Sequence, residues 1–265
     1  MNSNKTTIGI TGATGVLGRI LKEKLEALSY TVSTFNEDIR DSAAAHNWIE
    51  SNDFRAVFHL AALVPVTVVE KNPLDAYAIN VGGTINLLNS IKTLPNKPWF
   101  FYASTCHVYK SKQTPIAEVD EIEPINMYGQ TKYQGEKVCM AYQLQTAAGI
   151  CIGRIFSFFH ASQKEPFLYP SIKSRVAKHD LSTPFVLEGA DNVRDFMNAE
   201  NTVDIFIKLM EKNNTDIVNI GTGIPITIKD FVQNAFPSLT NITYKEHVPN
   251  FLVADIKKLN SILGA

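Results

Sequence analysis

Cysteine is scarce in this chain: Cys106, Cys139 and Cys151 are the only three in 265 residues, and no two form a CxxC pair. They cannot all be disulfide-bonded to one another, which fits a reducing compartment. Cys139 and Cys151 read as small buried hydrophobes on a helix and a strand. Long apolar runs are also missing. None reaches the ~18 residues that a membrane span requires, and Met1 to Thr7 is a short polar lead with no secretory h-region. Nor does one sign of charge prevail. With 25 basic and 26 acidic residues, a net charge of −1 and no long charge run, the chain lacks the electrostatic footprint for nucleic acid or an anionic membrane. Repeats and low-complexity segments are absent too. A cytoplasmic protein without nucleic-acid or membrane partners, and without a metal, is expected. Its length suits one large core, or a main domain with a small appended lobe.

Apolar runs alternate with amphipathic stretches of helical length over the first 155 residues. Thr7 to Thr11, Thr31 to Phe35, Ala56 to Leu60, Trp99 to Ala103 and Ile150 to Ile155 predict short buried strands. Between them, Val16 to Leu28, Ser42 to Ser51, Pro73 to Leu94 and Tyr128 to Ala148 predict helices, the third entered through Asn72-Pro73. Strict alternation implies right-handed crossovers and a doubly wound parallel α/β sheet of the Rossmann type. Beyond Phe156 the rhythm loosens. Helices near Pro170 to Lys178 and Ala199 to Lys212, a strand near Phe185 to Leu187 and short elements at Ile217 to Ile220 and Ile228 to Ala235 suit a smaller carboxyl-terminal lobe. The expected division is 1–156 for the dinucleotide-binding domain and 157–265 for the lobe, parts of which return to the first domain.

Gly12, Gly15 and Gly18 form a GxxGxxG loop where the first strand meets the first helix. The first glycine permits the tight turn, the second lets backbone N–H groups approach a pyrophosphate, and the third lets the helix pack on the sheet. A glycine triplet alone is a weak signal, but one that follows an apolar strand and opens a helix points to a dinucleotide. Such folds often carry an acid ~20 residues on, at the end of the second strand, for the ribose 2′-OH. Here Asn36 takes that position if the strand stops at Phe35, and Glu37 takes it if the boundary shifts by one. A neutral amide does not repel a 2′-phosphate, so the expected cofactor is NAD or NADP. Asp38 and Ile39 are placed to border the adenine ring; the competing readings are a loop acid and a core aliphatic.

Tyr128 and Lys132 lie one helical turn apart, downstream of Ser104-Thr105 at the end of an apolar run. A phenol ionises near pH ~10, so it exchanges protons at neutral pH only where a neighbouring cation stabilises the phenolate. Lys132, at i+4 on the same face, can supply that charge. The pair is therefore a candidate acid/base for hydride chemistry at a carbonyl carbon. Alone, it reads more readily as a half-exposed aromatic beside a solvated charge; the glycine loop reverses that reading.

Together these pieces resemble the extended short-chain dehydrogenases/reductases of the NAD-dependent epimerase/dehydratase family, which act on nucleotide-activated sugars. The likeness also takes in His59-Leu60-Ala61-Ala62, Asn80-Val81-Gly82-Gly83-Thr84, Ser104-Thr105-Cys106-His107-Val108-Tyr109, Gly153-Arg154-Ile155-Phe156, Arg194-Asp195-Phe196, Asn219-Ile220-Gly221-Thr222-Gly223 and Ala254-Asp255-Ile256-Lys257. It implies Thr105, Tyr128 and Lys132 as catalytic residues: Tyr128 as acid/base, Lys132 binding the nicotinamide ribose and lowering the Tyr128 pKa, and Thr105 bonding the substrate oxygen. It implies cofactor contacts from Gly12, Thr14, Gly15, Val16, Leu17, Gly18, Asn36, Asp38, Ile39, Leu60, Ala61, Ala62, Asn80 and Phe156. For the sugar nucleotide it implies Val64, Thr105, Cys106, His107, Ser157 and Arg194. Arg194 would clamp the diphosphate, unless it is spent on Asp191 or Asp195; His107 is a second proton handler, a substrate contact or a structural histidine.

Two departures carry information. Family dehydratases follow the catalytic Thr with Asp-Glu, whereas this chain has Cys106-His107, which argues against dehydration. Ser157 stands where members tend to have Asn, and many members are longer in the carboxyl half. The leading expectation is a ketoreductase that reduces a 4-keto nucleotide sugar with NAD(P)H. A 4-epimerase with retained NAD is the alternative, and a non-catalytic dinucleotide sensor is the third. The resemblance also implies a homodimer through Pro73 to Leu94 and Tyr128 to Ala148; Val138, Ala141, Leu144 and Ala148 repeat at helical spacing, a stripe that serves equally this pairing or packing against the sheet.

Overall fold

The computed structural model of the chain describes residues 6–180, 182–245 and 248–264. Residues 1–5 of the polar lead lie outside the described residues. The first half runs β1 (Thr7–Thr11), α1 (Val16–Ala27), β2 (Thr31–Phe35), α2 (Ser42–Glu50), β3 (Phe54–His59), α3 (Val66–Lys71), α4 (Pro73–Tyr77), α5 (Gly83–Thr93), β4 (Trp99–Thr105), α6 (Met127–Thr146) and β5 (Ile150–Ile155). After it come β6 (Ser157–Phe159), α7 (Leu168–Val176), β7 (Phe185–Val186), β8 (Val193–Arg194), β9 (Phe196–Asn198), α8 (Ala199–Glu211), β10 (Ile217–Ile220), β11 (Ile226–Thr227), α9 (Ile228–Ala235), β12 (Ile242–Thr243), β13 (Phe251–Leu252) and α10 (Lys257–Leu263). Six strands form one sheet in the order β10-β5-β4-β3-β1-β2, and every pairing is parallel. The α/β doubly wound sheet expected from the alternation is therefore the fold of this chain.

Residues alternate between two cores because successive strand side chains point to opposite faces. Trp99 and Phe101 of β4 join Ile8, Ile10, Leu21 of α1 and Phe206 of α8 on one face. Phe100 and Tyr102 join Val57, Ile49 of α2, Leu87 of α5 and Cys139 of α6 on the other. Both faces are covered, as an all-parallel sheet requires. Residues beyond Phe156 contribute to this main body: α8 packs against α1, and β10 pairs with β5 as the sheet's edge. The other later strands form small sheets, β11-β8-β13, β12-β7 and β6-β9, and Ile172 of α7, Phe185 of β7, Leu187 and Val232 of α9 belong to a separate cluster.

Local chemistry sets the boundaries. Asp41 caps α2 by accepting from the N–H groups of Ala43 and Ala44, and Asn126 caps α6 by accepting from Gly129 N–H at 2.8 Å. Ala147 closes α6 in the left-handed region at φ 54°. Two features differ from expectation. The β-branched run Val66–Val69 forms α3, where no element was expected, and the expected Pro73 to Leu94 helix carries a π turn at Ala78–Gly82 that bears Asn80. The expected outward stripe of α6 also splits: Ala141 and Leu144 are exposed, whereas Ala148 is buried in the inner core.

Helix α6 lies unusually close to β4. A Cβ at Gly135 would fall 2.0 Å from Tyr102 Oη and 2.6 Å from its Cζ, so Gly135→Ala forces a buried ring or the helix to move. A Cβ at Gly82 meets nothing nearer than 3.9 Å. In urea titrations Gly135→Ala should lose about 1–3 kcal/mol, while Gly82→Ala should be neutral or gain up to about 1 kcal/mol from helix propensity. Equal effects would contradict this packing.

Candidate active site

The carboxyl ends of β1, β2 and β3 meet at the glycine loop. Gly12 has φ +73°, and a Cβ there would fall 2.6 Å from the backbone N of Ala61 and 2.7 Å from the carbonyl carbon of Leu60. The loop thus lies directly on the chain leaving β3, with Leu60, Ala61 and Ala62 beside it. A Cβ at Gly18 would fall 2.2 Å from Gly12 O, so α1 starts against the turn, and Gly15 N–H closes the turn onto Gly12 O at 3.1 Å. Gly15 caps α1 without any side-chain acceptor. The first-turn amides around Val16 and Leu17 are left for an anion, and Thr14 and Gly15 are exposed next to them. This cradle fits the diphosphate of a dinucleotide.

The neighbouring residues divide. Asn36 follows β2 and lines an open depression with Thr14 and Thr34. Asp38 is held by Arg40 at 2.6 Å, and these hydrogen bonds pull its carboxyl down to about 2. Ile39 is buried against α5, where a Cβ at Gly83 would touch its Cγ2 at 2.7 Å; it behaves as the core aliphatic. Asn80 is also buried and fully engaged. Its amide donates to Leu63 O and Thr131 Oγ1, while its Oδ1 accepts from Leu63 N–H at 2.7 Å. Asn80 therefore holds the loop that carries Val64 against α6, rather than offering its amide to a ligand.

Behind this loop, proton counting fixes a tautomer. Thr84 Oγ1 donates to Asn80 O at 2.8 Å, so toward His59 Nε2 at 3.0 Å it accepts. His59 then carries its proton on Nε2, and its Nδ1 accepts from Thr11 Oγ1 at 2.7 Å. Burial, with the charge of Lys132 second, pushes His59 down to about 3. It is a neutral strut between β1, β3 and α5.

At the end of β4, Thr105 and Tyr128 come together. The Thr105 hydroxyl and Cys106 lie close enough to the Tyr128 phenol to act on it, and Thr105 Oγ1 accepts from His107 N–H at 3.3 Å. Close approach makes this possible: a Cβ at Gly129 would fall 2.2 Å from His107 O, so only glycine lets α6 begin against the Cys106–Val108 turn. The His107 ring meets Tyr128 edge-on at 5.8 Å. Asn126 Oδ1 is taken by Gly129 N–H, so its NH₂ faces His107 Nδ1 at 2.9 Å, leaving the imidazole proton on Nε2. Burial, reinforced by Arg194, lowers His107 to about 4; it is a neutral hydrogen-bond donor. Arg194 lies close enough to act on both Cys106 and His107. Its Nη1 bonds the carbonyls of Val193 and Asn250, and among the described residues no carboxylate pairs with it. Asp195 is spent on the N–H groups of Thr222, Gly223 and Ala254.

Lys132 departs from expectation. Its ammonium, only 2% exposed, sits 4.1 Å from the centre of the Tyr102 ring. Burial lowers it to about 7, with Cys139 and Glu136 opposing. The Tyr128 phenol is raised above its ordinary value by burial and by Cys106, and Thr105 opposes the rise. The expected lowering of the Tyr128 pKa by Lys132 is therefore replaced by the reverse, because desolvation of the hydroxyl dominates. Phe156 is buried against Tyr109, their ring centres 6.4 Å apart, and Ser157 begins β6, paired with Phe196.

Sequence reasoning missed the buried pair beneath the site. Glu136, one turn past Lys132, takes a two-pronged bond from Arg154 of β5, the closest at 2.7 Å, and a 2.5 Å bond from Ser104 Oγ. Arg154 continues to Tyr109 Oη, which donates to Asn219 of β10. The i+4 spacing of Lys132 and Glu136 was the available signal. Among the described residues no cluster of His, Cys, Asp or Glu suits a metal, and no helix is long and apolar enough to cross a membrane.

A dinucleotide-type glycine loop, with Thr105 and Tyr128 at the carboxyl edge of the same parallel sheet, is the arrangement that the resemblance to short-chain dehydrogenases/reductases implies. Residues 11–260 match the family model described as GDP-mannose 4,6 dehydratase. The chain belongs to that family, within the extended short-chain dehydrogenases/reductases. It is 30% identical, over 96% of its length and 90% of the other's, to a GDP-6-deoxy-D-talose 4-dehydrogenase from Aggregatibacter actinomycetemcomitans. It is 28% identical, over 94% of its length and 83% of the other's, to a UDP-glucose 4-epimerase from Lactobacillus helveticus. The structure of Pal from Bacillus thuringiensis shares the fold at a TM-score of 0.88 and 22% identity, covering 98% of this chain and 93% of that one.

The depressed Lys132 has a thermodynamic signature. Its folded value, about 7, lies below the ordinary 10.5, so between these values the unfolded chain binds the extra proton and stability rises with pH. The penalty is present in full below about 7. Lys132→Met should flatten the rise in urea midpoint between pH 7 and 10.5; an unchanged slope would contradict the assignment.

Proposed function

We propose that the protein reduces the 4-keto group of a sugar carried on a nucleoside diphosphate, with a nicotinamide dinucleotide, NAD or NADP, as coenzyme. One observation carries the reading: Tyr128 rests protonated with Thr105 close by, edge-on to a neutral histidine donor and near an arginine that no described carboxylate neutralises. A protonated phenol is poised to give a proton to a developing alkoxide, which is the demand of carbonyl reduction.

The bound dinucleotide supplies the hydride. The glycine loop holds its diphosphate at the start of α1, and the backbone of Leu60 to Ala62 lies alongside. Thr105 and Tyr128 bond the substrate oxygen, and Tyr128 gives up its proton there. Lys132, one turn along α6, supplies the positive charge that a tyrosinate needs and contacts the nicotinamide ribose. Arg194 takes the sugar nucleotide's diphosphate through its guanidinium, while His107 Nε2–H, Val64, Cys106 and Ser157 face the sugar. The later small sheets form the substrate lobe.

Elimination is disfavoured at this site. The position of the dehydratase acid is Cys106, whose thiol burial pushes up to about 12, so it does not exchange protons at neutral pH. Epimerisation is the second reading, supported by the likeness to UDP-glucose 4-epimerases; it requires coenzyme retained through the cycle. We also place the protein in the cytoplasm as a homodimer. The support is three free, buried cysteines and two strongly exposed leucines on the helices expected to pair, Leu74, 84% exposed, on α4 and Leu144, 89% exposed, on α6.

Purified protein with GDP-6-deoxy-D-talose or GDP-6-deoxy-D-mannose and oxidised coenzyme runs the proposed reaction in reverse. Stoichiometric coenzyme reduction is expected, falling by ~10²-fold or more in Tyr128→Phe while dinucleotide binding persists. Interconversion of UDP-glucose and UDP-galactose without net coenzyme turnover would replace this reading with the epimerase. Native mass spectrometry should give twice the chain mass; a single-chain mass would end the dimer.

A further inference from the structure

Among the described residues no carboxylate pairs with the buried Lys132 ammonium. Glu136, one turn further along α6, gives Oε1 to Ser104 and Arg154 and Oε2 to Arg154, so this carboxylate and guanidinium cancel one another. The other titratable groups around Lys132 carry no charge at neutral pH. Burial holds His59 of β3 neutral and keeps Tyr102 of β4, and Tyr128 and Cys139 of α6, protonated. What faces the ammonium is the ring of Tyr102, its centre 4.1 Å away.

An ammonium taken out of water sheds its proton readily, because desolvation penalises the charged form. An aromatic face opposes this loss. Its quadrupole attracts a cation, most strongly where water is excluded. Unlike a carboxylate, the face carries no charge to cancel that of lysine and no oxygen to occupy its N–H donors. Two contacts fix the ring in this place. Tyr102 Oη donates to the backbone carbonyl of Lys132 itself at 3.2 Å, and Gly135 makes room for that hydroxyl, which a Cβ there would meet at 2.0 Å. The phenol is thus anchored to the same residue whose ammonium rests over its ring.

We propose that Tyr102 is a positioning residue for the site: the face of its ring holds the Lys132 ammonium in the core and leaves its charge and its donors to the coenzyme ribose and to Tyr128. The second half of this statement rests on the reading above, in which Lys132 serves both. The first half concerns the protein alone and is tested without any ligand.

Urea titrations across pH compare Tyr102→Phe, Tyr102→Leu and a protein with a trifluorinated phenylalanine at position 102, which fills the core while weakening the π face. In the wild type the rise in stability begins near pH 7, the folded value of Lys132. Loss of the π face moves that value further below the ordinary 10.5, so the rise should begin about 1 pH unit lower in Tyr102→Leu and in the fluorinated protein. It should stay near 7 in Tyr102→Phe, which keeps the face and loses the hydroxyl. In a Lys132→Met background Tyr102→Leu should lower the midpoint equally at every pH, which separates packing from charge. An onset unmoved by fluorination would overturn the inference, as would an equal shift in Tyr102→Phe or a shift that persists without Lys132. NADH titration then adds the coenzyme. Near pH 7 the fluorinated protein should bind NADH about fivefold more weakly than Tyr102→Phe, and near pH 5, where Lys132 is charged in both, about equally. Equal affinities near pH 7 beside a shifted onset would place the failure in the ribose contact of the reading above, not in the hold of Tyr102 on Lys132.

Discussion

Helix α6 has to lie hard against the end of β4, because Tyr128 is on one and Thr105 on the other. Gly129 admits the backbone of the Cys106–Val108 turn, Gly135 admits the Tyr102 hydroxyl, and Glu136 takes the hydroxyl of Ser104, the neighbour of Thr105. Two missing side chains and one buried carboxylate thus set the distance between Tyr128 and Thr105. Arg154 neutralises that carboxylate and carries the restraint to β5, Tyr109 and Asn219. A buried pair of this kind adds little net stability, but removing one partner leaves a charge stranded in the core, at a cost of about 3–5 kcal/mol. Its value here is register.

Burial sets the protonation states around the site. His59 and His107 are held neutral, Tyr128 is held protonated and Lys132 is brought down to about 7. Hydrogen bonds then settle where each imidazole proton sits: Asn126 leaves His107 a donor, and Thr84 makes His59 a strut. Arg194, also desolvated, is bonded among the described residues by carbonyl and amide oxygens alone. The candidate site therefore combines a protonated phenol, a neutral imidazole donor and a guanidinium without a described carboxylate partner along one edge of the sheet.

Much of this was legible in the sequence. Period-two and period-3.6 patterning located β1, β2, β5, α1 and α2 almost to the residue, since each has a buried face and a marked end. The glycine spacing located the anion cradle, because only glycine tolerates the contacts at Gly12 and Gly18. The α3 helix was not legible: no element was expected at Val66–Val69, whose β-branched residues disfavour a helix, and tertiary packing overrides that preference. The π turn around Asn80 was equally hidden, since it inserts a residue into a helix whose sequence pattern stays continuous. Ile39, Asp38 and Asn80 show how far motif position can stand from role. One is core, one is bound to Arg40 and one holds a loop, and only coordinates reveal where their atoms are spent. The direction of the Tyr128 shift was illegible for a related reason: a lysine at i+4 predicts stabilised phenolate, whereas burial of the hydroxyl beside Cys106 decides the sign.

The central claim is that Tyr128 rests as a proton donor. Ultraviolet difference titration of the coenzyme-free wild type against Tyr128→Phe isolates this one phenol. The account predicts that it stays protonated beyond its ordinary value of 10.0. A residue-128 phenol that ionises below that value would contradict it.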